Sequence, residues 1–128
     1  MEFEIGMVGN AEITVDINNT AKTMGSGDLE VFATPSMVAL MEKAATLAIK
    51  ECLSDGYTTV GTMINVKHLA ATPIGVKVTA TATLIEVDGK RLIFKVEAFD
   101  GTEKIGEGQH ERFIINADRF MNRANGKR

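Results

Sequence analysis

The sequence predicts an α+β fold in which an antiparallel sheet of four or five twisted strands wraps around one long, buried helix. Three observations predict it. One segment, between Thr34 and Gly56, is apolar around most of a helical circumference. The chain beyond it alternates apolar and polar residues with the period of a strand, and two Asp-Gly pairs divide it. The length of 128 residues suffices for a single domain with its own core, which we place over residues 1–128.

The first predicted element is a strand within residues 3–17, clearest over 11–17, where isoleucine and valine alternate with polar residues. Residues 18–30 are polar and rich in glycine, which predicts a loop. That loop is longer than most connections between elements, and such length is typical of a segment that covers a functional site.

The long helix has the clearest start signal in the chain. Thr34 is a favoured N-cap residue, and Pro35 fits the first helical position. The pair Asp55 and Gly56 predicts the end of the element. Because few polar positions interrupt the apolar body between these signals, we expect the helix to be buried on several sides.

The second half of the chain is predicted to be a meander of strands. Asp88-Gly89 and Asp100-Gly101 are the turn signals of two β-hairpins. The predicted strands are 58–69, 75–87, 91–99 and 102–116, followed by a short helix over 117–122 and a frayed tail. Alternate residues of 75–87 are apolar, so one face of this strand is expected to meet the core.

Composition excludes several classes of function. The chain carries 14 Lys and Arg against 17 Asp and Glu, whereas nucleic-acid-binding modules carry a clustered basic excess. Two histidines and one cysteine cannot form a Cys/His zinc set, so no metal is expected. The chain shows no signal-peptide pattern and no apolar run long enough to cross a membrane. The lone Cys52 suits a reducing compartment, which predicts a cytoplasmic protein.

The predicted architecture leaves sheet surface uncovered. One helix cannot cover both faces of a sheet of this size, and the sheet has two edge strands. Exposed edges and a half-covered face are surfaces that proteins bury against a partner. The sequence therefore predicts a homodimer.

Four places carry polar groups that such a fold does not need. Thr34 lies at a helix start, where a cap and an anion site share one geometry. Glu42 interrupts an apolar stretch, either as a solvated position or as a general base. His68 lies at a strand end before a bend, either with a local hydrogen bond or as a catalytic group. His110 and Arg112 share a face of the last strand, where a structural pairing is the simpler interpretation.

The spacing of Thr34 and Glu42 limits how they can act together. Eight positions of helix separate them, which corresponds to about 12 Å along the axis. Their side chains are therefore not expected to touch. They can act on different parts of one ligand or be bridged by a third group, and the spacing favours His68 between them.

Three motifs are specific in combination. They are the helix start VFATPSMVALME, the segment HLAATP and the terminal GEGQHER, within residues 31–116. This combination resembles the hotdog-fold acyl-CoA thioesterases, and among them the fluoroacetyl-CoA thioesterase-like branch. The resemblance implies a hotdog fold, a strongly curved antiparallel sheet around a central helix. It also implies an acyl-CoA substrate, no cofactor beyond the CoA of that substrate, and a homodimer, or a tetramer built from it, with active sites near the subunit interface.

The resemblance assigns site residues as well. It implies that Thr34, Glu42 and His68 are catalytic, and that Gly61 and Arg112 bind substrate. Thr34 and the amides at the helix start would hold the thioester carbonyl, and His68 would transfer protons. Glu42 would activate water, attack the carbonyl to give a mixed anhydride, or orient His68. These three routes stay open.

The predicted cover also bears on the substrate. Residues 18–30 contain no aromatic residue, whereas the fluoroacetyl-specific enzyme covers its substrate with phenylalanines in this region. We therefore expect hydrolysis of a short-chain or small acyl-CoA thioester, without selectivity for the fluoroacetyl group.

Two other functions compete with thioester hydrolysis. A hydratase would need an Asp and a His near the helix start, and neither is near Thr34. A non-catalytic protein that binds acyl-CoA or another small ligand would keep the pocket without cleaving the thioester. Of the two histidines, His68 is the one expected to serve catalysis, and His110 is expected to be a structural neighbour of Arg112.

Overall fold

The computed structural model describes residues 1–128. Five strands, three α-helices and two 3₁₀ turns follow one another along the chain. The strands are β1 (Val8–Thr14), β2 (Tyr57–His68), β3 (Lys77–Asp88), β4 (Arg91–Phe99) and β5 (Lys104–Asn116). The helices are α1 (Ala21–Met24), α2 (Thr34–Ile49) and α3 (Ala117–Asn125), with 3₁₀ turns at Ile17–Asn19 and Lys50–Cys52.

All five strands form one antiparallel sheet in the order β1-β3-β4-β5-β2, and this sheet curls around α2. The predicted sheet around one long helix is thereby confirmed. The two hairpins form where the Asp-Gly pairs predict them. Gly89 takes a left-handed φ of +61° in the first turn. In the second turn the carboxylate of Asp100 accepts hydrogen bonds from the backbone amides of Thr102 and Glu103, at 2.9 Å each.

The core lies between α2 and the inner face of the sheet. Alternate residues of β3 and β4 point into it, as the period-two pattern predicts. The core side chains from these two strands are Val78, Ala80, Ala82, Leu84, Leu92, Phe94, Val96 and Ala98. On β1, a Cβ atom at Gly9 would overlap the carbonyl oxygen of Ala44, so the helix backbone lies directly on this strand. The close approach holds α2 against the β1 side of the sheet.

The start and end of α2 differ from the prediction. Thr34 is the first helical residue and Pro35 the second, while Ala33 occupies the N-cap without any side-chain cap. The prediction of Thr34 as the N-cap was therefore wrong by one position. The α-helix ends at Ile49, and a 3₁₀ turn continues the segment to Cys52. The hydroxyl of Thr34 is consequently free of a capping role.

The segments at the two ends of the chain also differ in detail. Residues 18–30 are not a plain loop, because they contain the short helix α1. The hydroxyl of Thr20 caps this helix by accepting a hydrogen bond from the backbone amide of Thr23 at 3.3 Å. Of the apolar residues expected on one face of the first strand, Val15 is buried but Ile17 is 62% exposed. The terminal helix runs to Asn125, three residues beyond the predicted end.

The edge strand β2 has a partner on one side only. Its twelve residues pair with β5, and the register shifts by one residue between Gly61 and Met63, which places a bulge at Thr62. Ile64 on this strand is 40% exposed. None of the helices is both long and apolar enough to cross a lipid bilayer.

Candidate active site

Thr34 and His68 meet at the start of α2. Oγ1 of Thr34 lies 2.8 Å from Nδ1 of His68, although 34 positions separate the two residues. The contact forms because β2 ends at His68 beside the first turn of the helix. Since Ala33 rather than Thr34 is the N-cap, the threonine hydroxyl is available to the imidazole.

Burial sets the protonation of His68. Partial removal from water lowers the pKa of this side chain from its ordinary value of 6.5, since a charged imidazolium is disfavoured there. Its Nε2 atom is buried and has no hydrogen-bond partner within the chain. A neutral imidazole with one nitrogen on a hydroxyl and the other free for a ligand is suited to proton transfer.

A cavity of about 330 Å³ adjoins this pair. Its lining residues are Ala21, Ser26, Val31, Phe32, Thr34, His68, Leu69, Ala70 and Ala71. The predicted cover, residues 18–30, contributes Ala21 and Ser26 to this wall, and both are small. The one aromatic side chain of the lining, Phe32, lies just beyond the cover and is 1% exposed.

The first turn of α2 also presents free amide groups. The amides of Thr34 and Ser36 donate no backbone hydrogen bond, and Pro35 has none to donate. The first backbone bond of the helix runs from Met37 to Ala33, at 3.0 Å. Free amides at the positive end of a helix dipole attract an anion or a developing oxyanion.

Glu42 belongs to a second polar cluster, two turns further along α2. Its Oε2 accepts a hydrogen bond from Nη1 of Arg112 at 3.2 Å. Nε and Nη2 of the same guanidinium donate to the side chain and the carbonyl of Thr59, at 2.8 and 3.0 Å. Nη1 also lies 3.1 Å from Nε2 of His110. The side chain of Arg112 is 8% exposed and that of Glu42 is 41% exposed, so the arginine anchors a carboxylate that reaches solvent.

The bulge at Thr62 explains why this cluster assembles. It brings the carbonyl of Met63 to within 2.8 Å of Nδ1 of His110. Gly61 lies against the carboxylate on the other side of the bulge. A Cβ atom at Gly61 would come within 2.8 Å of Oε2 of Glu42, so only glycine leaves room for the carboxylate in this position.

The structure therefore places the five predicted site residues in two groups. Thr34 and His68 form one group, and Glu42, Gly61 and Arg112 form the other. The expected separation of Thr34 and Glu42 agrees with this arrangement. His68 contacts Thr34 but forms no hydrogen bond or ion pair with Glu42, so it does not bridge the two within one chain.

The prediction that His110 neighbours Arg112 is confirmed by their hydrogen bond. Thr59 and the carbonyl of Met63 belong to the second cluster and were missed. Period-two alternation could have placed Thr59 on the same face as Gly61. The carbonyl contact depends on the bulge, for which the sequence has no clear signal.

Comparisons with known proteins point to one family. The sequence profile of the fluoroacetyl-CoA-specific thioesterases, the FlK family, matches residues 15–118. The fluoroacetyl-CoA thioesterase of Streptantibioticus cattleyicolor is 50% identical over 91 residues, which are 71% of this chain and 66% of that protein. The match thus spans slightly less than two thirds of the curated relative.

Solved structures agree with the sequence comparisons. The fluoroacetyl-CoA thioesterase FlK superposes with a TM-score of 0.93 at 36% identity, covering 100% of this chain and 99% of that one. A threonine-to-serine variant of FlK in complex with acetyl-CoA gives 0.93 at 37% identity, with 98% of each chain covered. A hot-dog-like protein from Thermanaerovibrio acidaminovorans, at 24% identity, has the same fold with a TM-score of 0.88 over 98% of this chain and 93% of that one. The chain has the hotdog fold and belongs to the fluoroacetyl-CoA-specific thioesterase family.

Proposed function

We propose that this protein hydrolyses the thioester of a small acyl-CoA to the free acid and CoA. The observation that carries the proposal is the contact of 2.8 Å between Oγ1 of Thr34 and Nδ1 of His68 beside a cavity at a helix start. Family membership supports the reaction class. The acetyl-CoA complex of the FlK variant supports an acyl-CoA as the substrate.

In this proposal the start of α2 binds the thioester carbonyl. Thr34 donates its hydroxyl or its amide to the carbonyl oxygen, and the free amide of Ser36 adds a second donor. These donors stabilise the negative charge that develops on the oxygen when a nucleophile attacks. The helix dipole acts in the same direction.

His68 then carries protons in the reaction. Its neutral imidazole accepts a proton from the attacking water through the unpartnered Nε2, and the imidazolium so formed delivers that proton to the departing CoA thiolate. The lowered pKa of this residue keeps the imidazole neutral, and therefore able to accept a proton, at neutral pH. A low-pKa imidazolium is also a strong enough acid to protonate a thiolate.

Glu42 supplies the carboxylate. One of its oxygens is held by Arg112, and the partly exposed side chain can activate water or attack the carbonyl directly. Single turnover in heavy-oxygen water distinguishes the two routes. Label in the Glu42 carboxylate after turnover identifies a mixed anhydride that water opens at the Glu42 carbonyl, and label in the product acid alone excludes that route.

Gly61 and Arg112 complete the substrate site in the proposal. Gly61 is exposed next to Glu42 and leaves space there for the acyl-thioester group. Arg112 is buried, so it acts on the substrate through the position of Glu42.

We further propose that the working unit is a homodimer with the active sites near the subunit interface. The unpaired edge of β2 carries Gly61 in its middle and His68 at its end, so a partner at this edge would lie close to both site residues. The chain has one free cysteine, which favours a cytoplasmic location.

A panel of acyl-CoA esters with a thiol-detecting reagent tests the function. We expect release of free CoA from small acyl esters, and loss of about 10²–10⁴ in rate for His68→Ala. Saturable binding of acyl-CoA without CoA release would instead establish the non-catalytic binding protein. Unchanged turnover in His68→Ala would remove His68 from the mechanism.

A further inference from the structure

His110 makes two hydrogen bonds that together define its chemical state. Its Nδ1 lies 2.8 Å from the carbonyl oxygen of Met63, and its Nε2 lies 3.1 Å from Nη1 of Arg112. A carbonyl oxygen only accepts and a guanidinium only donates. Nδ1 must therefore carry the proton, and Nε2 must be the acceptor. His110, which is 1% exposed, is held as one tautomer of the neutral imidazole.

The partner of this imidazole is the group that holds Glu42. Nη1 of Arg112 carries two hydrogens, and it lies within hydrogen-bond distance of both Nε2 of His110 and Oε2 of Glu42. The remaining contacts of the guanidinium, to Thr59, fix its plane. Because the guanidinium is planar, its two Nη1 hydrogens point in fixed directions, one available to Nε2 of His110 and the other to the carboxylate of Glu42. His110 and Thr59 together therefore hold the guanidinium in the orientation that reaches Glu42.

We propose that His110 is a positioning residue, which as a neutral Nδ1-protonated imidazole directs Arg112 and through it holds the carboxylate of Glu42 for thioester hydrolysis. The proposal rests on the proposed function for its kinetic consequence. Its structural content, the tautomer and the fixed guanidinium, stands on the contacts alone. Because His110 is buried, its effect on the substrate passes through Arg112 and Glu42.

Protonation of His110 would break its hydrogen bond with Arg112. A proton on Nε2 would face the N–H of Arg112, so two donors would oppose each other and the hydrogen bond would be lost. The charged groups around the ring are Glu42 on α2 and Arg112 and Glu111 on β5; β2 presents the Met63 carbonyl and β4 the uncharged ring of Phe94. Burial is the main cause that lowers the pKa of His110, the Met63 carbonyl opposes it, and the positive charge of Arg112 lowers the pKa further.

The tautomer is measured by long-range ¹H–¹⁵N correlation spectroscopy on the unmodified protein. We expect the His110 ring to show a protonated Nδ1 and a bare Nε2 at neutral pH, and to remain neutral to a lower pH than 6.5, the ordinary value. A ring protonated on Nε2, or a doubly protonated ring at neutral pH, would overturn the proposal. This readout needs no substrate.

Two matched variants test the positioning role in turnover. Gln at position 110 can place an acceptor near the position of Nε2, whereas Asn places its amide near Nδ1 and leaves Arg112 without an acceptor. We expect His110→Asn to lower kcat by about 10²-fold with little change in KM, since small misplacements of a catalytic group have effects of this size. His110→Gln should stay within about tenfold of the parent.

Equal kcat in His110→Asn and the parent, or equal losses in both variants, would contradict the positioning role. If either variant fails to fold, the tautomer measured in the unmodified protein still shows whether His110 accepts a hydrogen bond from Arg112 as proposed. A correct tautomer in a protein that cleaves no acyl-CoA would refute the proposed function, whereas a wrong tautomer in an active enzyme would refute the role of His110. The two failures are therefore distinguishable.

Discussion

Oγ1 of Thr34 lies 2.8 Å from Nδ1 of His68, and this contact joins the first turn of α2 to the last residue of β2. A threonine one position earlier would cap the helix, and its oxygen would be engaged by backbone amides. One position into the helix, the hydroxyl is engaged by an imidazole instead. The first turn of α2 supplies free amides and a hydroxyl, and the end of β2 supplies the imidazole that can carry a proton.

Removal of the Thr34 hydroxyl should impair turnover without unfolding the protein. Thr34→Val keeps the shape of the side chain and removes the group that contacts His68, and we expect kcat to fall by about 10²–10³-fold. The matched control is Thr46→Val on the same helix, where the hydroxyl donates to the carbonyl of Lys43 at 2.7 Å. Thr46 lies roughly 18 Å further along the axis, so its loss should leave kcat unchanged. Equal effects of the two substitutions would contradict a role for Thr34.

The half-buried imidazole of His68 and the buried imidazole of His110 should make stability depend on pH. Burial lowers the pKa of both His68 and His110 below 6.5, so between the lowered values and 6.5 the unfolded chain binds more protons than the folded one. The free energy of unfolding is therefore expected to fall as the pH drops through that window, and to lose this dependence above 6.5. Urea denaturation across a pH series measures it.

His68→Gln is the variant that isolates one of the two histidines in the pH series. It should reduce the slope of the unfolding free energy against pH below 6.5, and the slope that remains should include the contribution of His110. The kcat/KM of the parent should also fall only below 6.5, because neutral His68 is the active form. A decline in stability that is unaffected by the substitution would assign the dependence to other groups.

Local patterns account for most of the fold that the sequence predicts. β3 and β4 form where period-two alternation and Asp-Gly pairs occur, because strand faces and tight turns depend on neighbouring residues. The start of α2 was missed by one position. Threonine suits both an N-cap and a first turn. In its first-turn position Thr34 contacts the distant His68, and a local pattern does not contain such a contact.

The second cluster depends even more on distant contacts. Glu42, Arg112 and His110 were each identified as candidates, but their assembly requires the bulge at Thr62 and the Met63 carbonyl that it reorients. A bulge adds one residue to one strand of a pair, so it is a property of the pairing rather than of either sequence. For this reason Glu42, Gly61, His110 and Arg112 could be named from the sequence. Their contacts with one another, with Thr59 and with the Met63 carbonyl could not.

A methyl group at Gly61 should displace the carboxylate. The new Cβ would lie 2.8 Å from Oε2 of Glu42 and 3.2 Å from Cε1 of His110, and the carboxylate is the end of a flexible side chain that can move. We expect Gly61→Ala to fold and to lose about 10²-fold in kcat, because Glu42 leaves its position. Gly101→Ala is the control, since a Cβ there meets nothing within 4 Å. Full activity in Gly61→Ala would show that the position of Glu42 does not limit turnover.

Fluoroacetyl-CoA should not be strongly preferred over acetyl-CoA. The cover over the Thr34 and His68 cavity contributes Ala21 and Ser26, which are too small to enclose the acyl group with an aromatic surface. One extra or missing methylene in a hydrophobic pocket changes kcat/KM by about 10–200-fold, and a site without an aromatic cover should discriminate less than that. Measured kcat/KM for the two esters gives the ratio directly. A preference well above this range would mean that Phe32 or another wall supplies the selectivity.

Mixed dimers should reveal whether one active site draws on both protomers. Within one chain Thr34 and Glu42 are about 12 Å apart along α2, too far to act on one carbonyl carbon by direct contact. A two-fold axis at the β2 edge would reverse the second copy, so that the start of one helix lies near the later turns of the other. We therefore expect inactive Thr34→Ala and Glu42→Ala proteins to regain activity when they exchange subunits.

The expected recovery follows from the symmetry. Half of the randomly exchanged dimers are hybrids, and one of the two sites in each hybrid would be intact, which gives about a quarter of the parent activity. The control is exchange between two batches of Thr34→Ala, which should stay inactive. Hybrid formation is followed by mass spectrometry of differently tagged subunits. If hybrids form but show no activity, Thr34 and Glu42 of the same chain belong to one site. In that case every site of a hybrid lacks either the Thr34 hydroxyl or the Glu42 carboxylate.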